Sequence, residues 1–168
     1  NIDKAIKFFS EIHKLSPDST FIIIGPDNGV KELLNSMIKK MHLTENVFIF
    51  NFMKFSEIRK YAKNASFFIQ FSSFEGMAMS VSESMQLGLI PIVTNVGQIK
   101  IYCKNLFNSI IYHNNEKEVI ENILKLISSK KEFNRMRENS IHTWSNSSTY
   151  KKDLIKNFEE ISKFFFKK

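Results

Sequence analysis

At 168 residues, 43% of them hydrophobic and 24% charged, the chain has the size and composition of one ordinary globular domain with a real core. Its net charge of +7 points either to an anionic partner or to a lysine-rich solvated surface, and no basic block with interleaved aromatics marks a nucleic-acid binder. The single cysteine, Cys103, excludes an internal disulfide and any multi-cysteine metal site; no apolar run is long enough to span a membrane and no secretory signal opens the chain, so a cytoplasmic setting is expected.

Ile2, Ala5, Ile6, Phe9, Ile12 and Leu15 recur at helical spacing, with Asp3 near the start, which predicts an amphipathic helix over residues 2–15. After a turn at 17–19, residues 20–24 read as a buried strand ending in Gly25. The turn 25–29 therefore lies at the carboxyl end of a strand, where ligands of open α/β sheets bind; Gly25 is a candidate ligand contact, and a plain strand-to-helix connection fits it equally. A helix over 30–42, a strand over 47–51 and a helix over 56–63 with Ser56 as N-cap follow.

The stretch 66–98 organises the rest. Apolar residues from Phe67 to Phe71, bounded by serine, predict a fully buried strand, and Ser72-Ser73-Phe74-Glu75-Gly76 predicts a polar turn. From Met77 the period becomes helical through Val81, Met85 and Leu87, and Gly88 is a suitable stop. Met77, Met79 and Met85 read as core residues. Residues 91–94 start the next strand and 95–98 form the loop leaving it. A strand, a tight turn and a helix whose first free amides face a crevice make an attractive phosphate site. Glu75 and Glu83 flank it, eight residues apart, about two helical turns. That spacing excludes a shared small ion; a dinucleotide-sized ligand lying along the helix would meet one carboxylate at each end, with sugar hydroxyls as the natural partners.

A short helix over 99–104, a strand over 109–112 and helices over 116–128, 131–143 and 148–166 complete the pattern. Strands alternating with helices predict a doubly wound parallel sheet. The chain opens in a helix where a Rossmann-like sheet opens in a strand, so the first strand is expected to be absent. His13, His42, His113 and His142 are scattered and read as structural. With no histidine pair at ligand spacing, no metal is expected. At the C-terminal end, Lys163-Phe-Phe-Phe-Lys-Lys168 suits either peripheral contact with a membrane or packing on another domain, and packing is favoured.

The run S-x-x-E-G-x-x-x-x-x-x-E-x-M followed by G-L-x-P-x-V-T-x-V-G resembles the C-terminal, nucleotide-sugar-binding domain of retaining glycosyltransferases of the GT-B fold, in glycosyltransferase family 4. The resemblance covers nearly the whole chain. It implies a Rossmann-like parallel sheet with flanking helices, lacking its first strand, its N-terminal acceptor domain and the Arg and Lys that bind the donor pyrophosphate. It further implies that Glu75 meets the reacting sugar and that Glu83 meets the ribose. The backbone at Gly76, Met77, Ala78, Met79 and Ser80 would meet the phosphates and sugar, and the backbone near Asn51 and Met53 the base, with Gly25 on the nucleotide side.

Four positions depart from the family pattern: Gln98 for the second glycine of a G-G turn, Ile101 for an acidic residue, Ala78 for glycine and Phe71 for proline. They touch the sugar-contacting loops. The function implied is transfer of a sugar from a UDP- or GDP-sugar to a glycan or lipid-linked acceptor, without cofactor, in cell-surface polysaccharide or lipopolysaccharide synthesis at the inner face of the membrane. A non-catalytic nucleotide-sugar-binding module, a sugar-nucleotide epimerase and a doubly wound domain that takes no sugar nucleotide are the competing readings.

Overall fold

A computed structural model describes residues 1–145 together with 155, 157–159 and 162–163. In chain order the elements are α1 (Ile2–Leu15), β1 (Phe21–Ile24), α2 (Lys31–Lys40), β2 (Val47–Phe50), α3 (Phe55–Ala62), β3 (Phe67–Gln70), α4 (Met79–Gln86), β4 (Ile90–Thr94), α5 (Ile99–Tyr102), β5 (Ile110–Tyr112), α6 (Glu116–Ser128) and α7 (Lys130–Ser145). The helix predicted over 148–166 falls largely outside the described residues, which are helical at 155, 157–159 and 162–163; all of the terminal aromatic and basic segment beyond Lys163 lies outside them too.

All strand pairing is parallel, as the alternation predicts, in two pieces among the described residues. β1 pairs with β2 in the register Phe21 to Val47, and β4 stands between β3 and β5 with Phe67 opposite Ile90 and Ile92 opposite Ile110. Among the described residues β1 and β3 each keep one edge free of strand pairing. Those two edges are the ones a Rossmann-like sheet joins through its first strand.

The period of two along β4 and β5 sorts the core. Ile90, Ile92 and Ile110 point to one face, where they meet Ala5 and Phe8 of α1 and Val119, Ile120 and Ile123 of α6. Val93 and Ile111 point to the other, against Val81 and Met85 of α4 and Ile99 and Cys103 at α5. Neighbouring positions on α1, Ile6 and Phe9, instead reach Leu34 and Ile38 of α2 and Val47 of β2. One helix thus supplies an apolar stripe to each sheet, which is why its apolar positions are so dense.

Several boundaries differ from the predicted ones for identifiable reasons. α3 begins one residue early because the Glu57 carboxylate accepts the Lys54 amide at 3.0 Å, so Ser56 is not its cap. Asp27 Oδ1 accepts the amides of Gly29, Val30 and Lys31 at 2.9–3.3 Å and sets the start of α2. α4 begins at Met79 rather than Met77, since Ala78 takes the left-handed conformation, φ 48° and ψ 65°, which a right-handed helix cannot include. Consequently Met77 and Met79 are about half exposed and only Met85 is core, correcting the reading of all three as buried.

Phe8 is edge-on to Phe71 at 5.2 Å and to Tyr112 at 5.9 Å. Phe8→Ala should destabilise the domain by about 3–5 kcal/mol, whereas Leu15→Ala at the exposed end of the same helix should stay within about 0.5 kcal/mol; urea denaturation measures both. Burial also pushes the Cys103 thiol up to about 11 and raises the Tyr102 and Tyr112 phenols above their ordinary range. In each case the folded chain keeps a proton that the unfolded chain releases first. Stability should therefore fall as pH climbs from about 9 toward 11, read as a declining urea midpoint.

Candidate functional site

β3 ends at Gln70, Phe71 turns inward and is buried, and residues 72–78 form the loop that leads into α4. Donors from the next strand and helix pin this loop. Thr94 Oγ1 donates to the Ser72 carbonyl at 2.6 Å, the Gln98 amide to the Gly76 carbonyl at 3.0 Å, and the Tyr102 hydroxyl to the Met77 carbonyl at 2.9 Å. Burial first, then the nearby Cys103 and Glu75, hold the Tyr102 phenol far above its usual range. It remains a donor at any working pH.

Glu75 is half-buried in the pinned loop. Its Oε1 accepts from the Ser72 hydroxyl at 2.7 Å and from Gln70 Nε2 at 2.7 Å, and Gln70 Oε1 in turn accepts from the Ser80 hydroxyl at 2.6 Å. Neither Gln70 nor the hydroxyls of Ser72, Ser80 and Tyr102 stood out in the sequence: a glutamine at the end of an apolar run and scattered hydroxyls carry no motif.

α4 has no acidic residue in its first turn and no side-chain cap. The amides of Gly76, Met77, Ala78, Met79 and Ser80 donate to nothing among the described residues. The structure therefore joins an uncompensated helix N-terminus to a fixed carboxylate, a combination suited to an anionic group carrying hydroxyls. Glu83, the fifth residue of α4, is exposed, and its carboxylate has no partner among the described residues.

Gly25 and Asn51 meet at the carboxyl ends of β1 and β2, where the Gly25 amide donates to the Phe50 carbonyl at 3.3 Å. Both line a shallow groove with Asp27 and Lys31, and Lys31 Nζ donates to Asn51 Oδ1 at 3.1 Å. Lys31 is a cation the sequence did not single out. Met53 is half-buried outside that groove's lining. A separate cleft of about 410 Å³ opens at the carboxyl ends of the other three strands, lined by Lys4, Ser72, Ser73, Thr94, Asn95 and Tyr112 among others; it stops short of Glu75 and Glu83. Among the described residues no three His, Cys, Asp or Glu side chains converge as metal ligands would.

The tightest constraint is at Gly97, which has φ 52°. A β-carbon there would stand 1.8 Å from the Glu75 carbonyl oxygen and 2.7 Å from its carbon. Gly97→Ala should displace the Glu75 loop and lower the midpoint of thermal unfolding by several degrees, a loss larger than that of Gly29→Ala, whose surroundings are open.

Residues 1–143 match the sequence pattern of the family described as glycosyl transferases group 1. Over 136 residues the chain is 26% identical to an α-1,3-galactosyltransferase of Escherichia coli that uses UDP-Gal and α-D-GlcNAc-diphosphoundecaprenol; the match covers 81% of this chain and 34% of that protein. It superimposes on a point mutant of Staphylococcus aureus TarM, solved with fondaparinux, α-GlcNAc-glycerol and UDP, with TM-score 0.81 and 19% identity over 95% of this chain and 32% of that one. The C-terminal domain of the group 1 glycosyl transferase LpcC from Francisella tularensis gives TM-score 0.70 and 21% identity over 88% of this chain and 80% of that one. The chain thus spans about a third of the length of the E. coli and S. aureus proteins. The sheet and helices have the GT-B arrangement, and with 143 residues matched the chain belongs to the glycosyl transferases group 1 family.

Proposed function

We propose that the chain is the donor-binding half of a retaining glycosyltransferase, which moves a sugar from a UDP- or GDP-sugar to a glycan or lipid-linked acceptor. The observation that carries this reading is the start of α4, where five free amides adjoin a carboxylate held by two donors. UDP is favoured as the nucleotide, since the E. coli relative uses UDP-Gal and the TarM structure contains UDP. An N-terminal domain would supply the acceptor site and close the cleft against water.

In this assignment the diphosphate of the donor lies at the amides of Gly76, Met77, Ala78, Met79 and Ser80. Negative charge grows on the diphosphate as the glycosidic bond breaks, and preorganised helix-terminal amides stabilise it without reorganising and without a metal. Glu75 meets the hydroxyls of the transferring sugar through its free oxygen. Glu83, exposed further along α4, accepts from the ribose, and Gly25, Asn51 and Met53 lie on the side of the base. No general base for the acceptor is present among these residues. That suits attack on the face from which the nucleotide leaves, and hence retention.

No helix among the described residues is long and apolar enough to cross a membrane. We place the protein on the cytoplasmic side, meeting a membrane-held acceptor in cell-surface polysaccharide or lipopolysaccharide synthesis. A non-catalytic nucleotide-sugar-binding module is the second reading, favoured by Ile101, an apolar side chain 59% exposed on α5.

In the full-length chain, Glu83→Ala should raise the donor KM about tenfold with kcat little changed, the loss of a charged hydrogen bond felt equally in ground and transition states. Glu75→Ala should lower kcat about a hundredfold with a smaller change in KM. Steady-state UDP release from UDP-galactose and UDP-N-acetylglucosamine measures both. Unchanged donor kinetics in Glu83→Ala would count against the ribose role, donor binding without turnover would favour the module, and free epimerised sugar would identify an epimerase.

A further inference from the structure

We propose that Gln70 is a positioning residue for Glu75, coupling this carboxylate to the first turn of α4 through Ser80; the inference rests on the assignment of Glu75 to the donor sugar. Gln70 closes a strand whose other residues are Phe67, Phe68 and Ile69. A half-buried amide at the end of so apolar a segment must have both its ends satisfied. Here they are: Nε2 donates to Glu75 Oε1 at 2.7 Å and to the Ser72 hydroxyl at 3.2 Å, and Oε1 accepts from Ser80 at 2.6 Å.

The order of these bonds fixes the orientation of each group. A carboxylate only accepts, so the Gln70 NH2 must face Glu75; the amide oxygen then faces α4, where the Ser80 hydroxyl donates to it. The Ser72 hydroxyl donates to the same Glu75 oxygen at 2.7 Å. Both donors converge on Oε1, and Oε2 has no partner among the described residues. The network thus presents one carboxylate oxygen, at a set angle, to whatever lies in front of the loop. Because Ser80 is the second residue of α4, its hydroxyl sits in the same turn as the amides assigned to the diphosphate. Seating of a phosphate there would be felt at Glu75 through two hydrogen bonds.

The test is a kinetic split in the full-length enzyme, with UDP-galactose and UDP-N-acetylglucosamine as donors and UDP release as the readout. Gln70→Leu keeps the volume and removes all three bonds; kcat should fall about tenfold while donor KM stays within about twofold. Ser80→Ala should lower kcat less, and the double variant should be no slower than Gln70→Leu alone, because the two residues act in series. Gln70→Glu places a second carboxylate against Glu75. The pair must share a proton, so its kcat should recover as pH falls, when a protonated side chain can again donate to Glu75 and accept from Ser80.

A Gln70→Leu rate within twofold of wild type, a loss expressed as raised KM, additive losses in the double variant, or a Gln70→Glu profile parallel to wild type would each overturn the positioning role. Should Gln70→Leu fail to fold, the pH profile of Gln70→Glu decides. An impaired Glu75→Ala beside an unimpaired Gln70→Leu overturns the inference alone. Glu75→Ala at the wild-type rate, or no turnover across a panel of UDP- and GDP-sugars that includes these two donors, overturns the transfer reading and the inference with it.

Discussion

The close approach of Gly97 to the backbone of Glu75 is the constraint from which the candidate site follows. A carbonyl that would lie 1.8 Å from a β-carbon leaves no room for any side chain at that position. Two connections, one leaving β3 and one leaving β4, are thereby forced into backbone contact at the carboxyl end of the sheet. The Gln98 amide of the second connection, the Tyr102 hydroxyl of α5 and the Thr94 hydroxyl of β4 then hold the first loop at three carbonyls, those of Gly76, Met77 and Ser72. A loop between strand and helix is ordinarily among the more mobile parts of a fold. This one is tied to β4, whose residues 90–93 are fully buried, and to the loop and helix that follow it.

The other half of the arrangement depends on α1. Its residues 5 and 8 pack into the cluster around β3, β4 and β5, and its residues 6 and 9 into the cluster around β1, β2 and α2. β1 and β3 share no strand pairing, so the apolar link between the groove at Gly25 and Asn51 and the loop at Glu75 runs through α1 and through Phe21, which packs against both clusters. The two ends of a bound sugar nucleotide would lie on parts of the protein that this helix keeps in relation. A substitution such as Phe8→Ala, remote from both carboxylates, would loosen the side of that link that holds Phe71, directly before the Glu75 loop.

The strands and the parallel topology were legible because short β-branched and aromatic runs alternating with helical periods admit few other folds. The turn before a helix, with its run of backbone amides, was legible too, because a polar stretch there separates a continuous apolar run from helical spacing. What stayed hidden depends on geometry that sequence spacing does not encode. Apolar spacing extended α4 back to Met77, yet the helix starts at Met79 because the preceding residue is left-handed, and that shift brings Met77 and Met79 to the surface. The bonds from the amides of Gly29, Val30 and Lys31 to Asp27 were masked by a turn that reads equally as a plain connection. Gln70 was read as one more residue of a buried run, when it is a half-buried polar break in that run, between Ile69 and the buried Phe71.

Ala78 shows how these features depend on each other. An L-residue in the left-handed region costs about 1–2 kcal/mol, and glycine would avoid that cost. The chain nevertheless keeps a methyl group there, buried in the cluster with Val81, Met85 and Ile99, so packing offsets part of the strain. The carbonyl of this strained residue accepts the amides of Val81 and Ser82, which closes the first turn of α4. Closing it satisfies those two amides internally and leaves the ones before them, from Gly76 to Ser80, without internal acceptors. The division between amides used by the helix and amides free for an anion thus falls between Ser80 and Val81, set by the carbonyl of the left-handed residue, and Tyr102, whose hydroxyl donates to the Met77 carbonyl and at 3.4 Å to the Ala78 carbonyl, holds that residue in place.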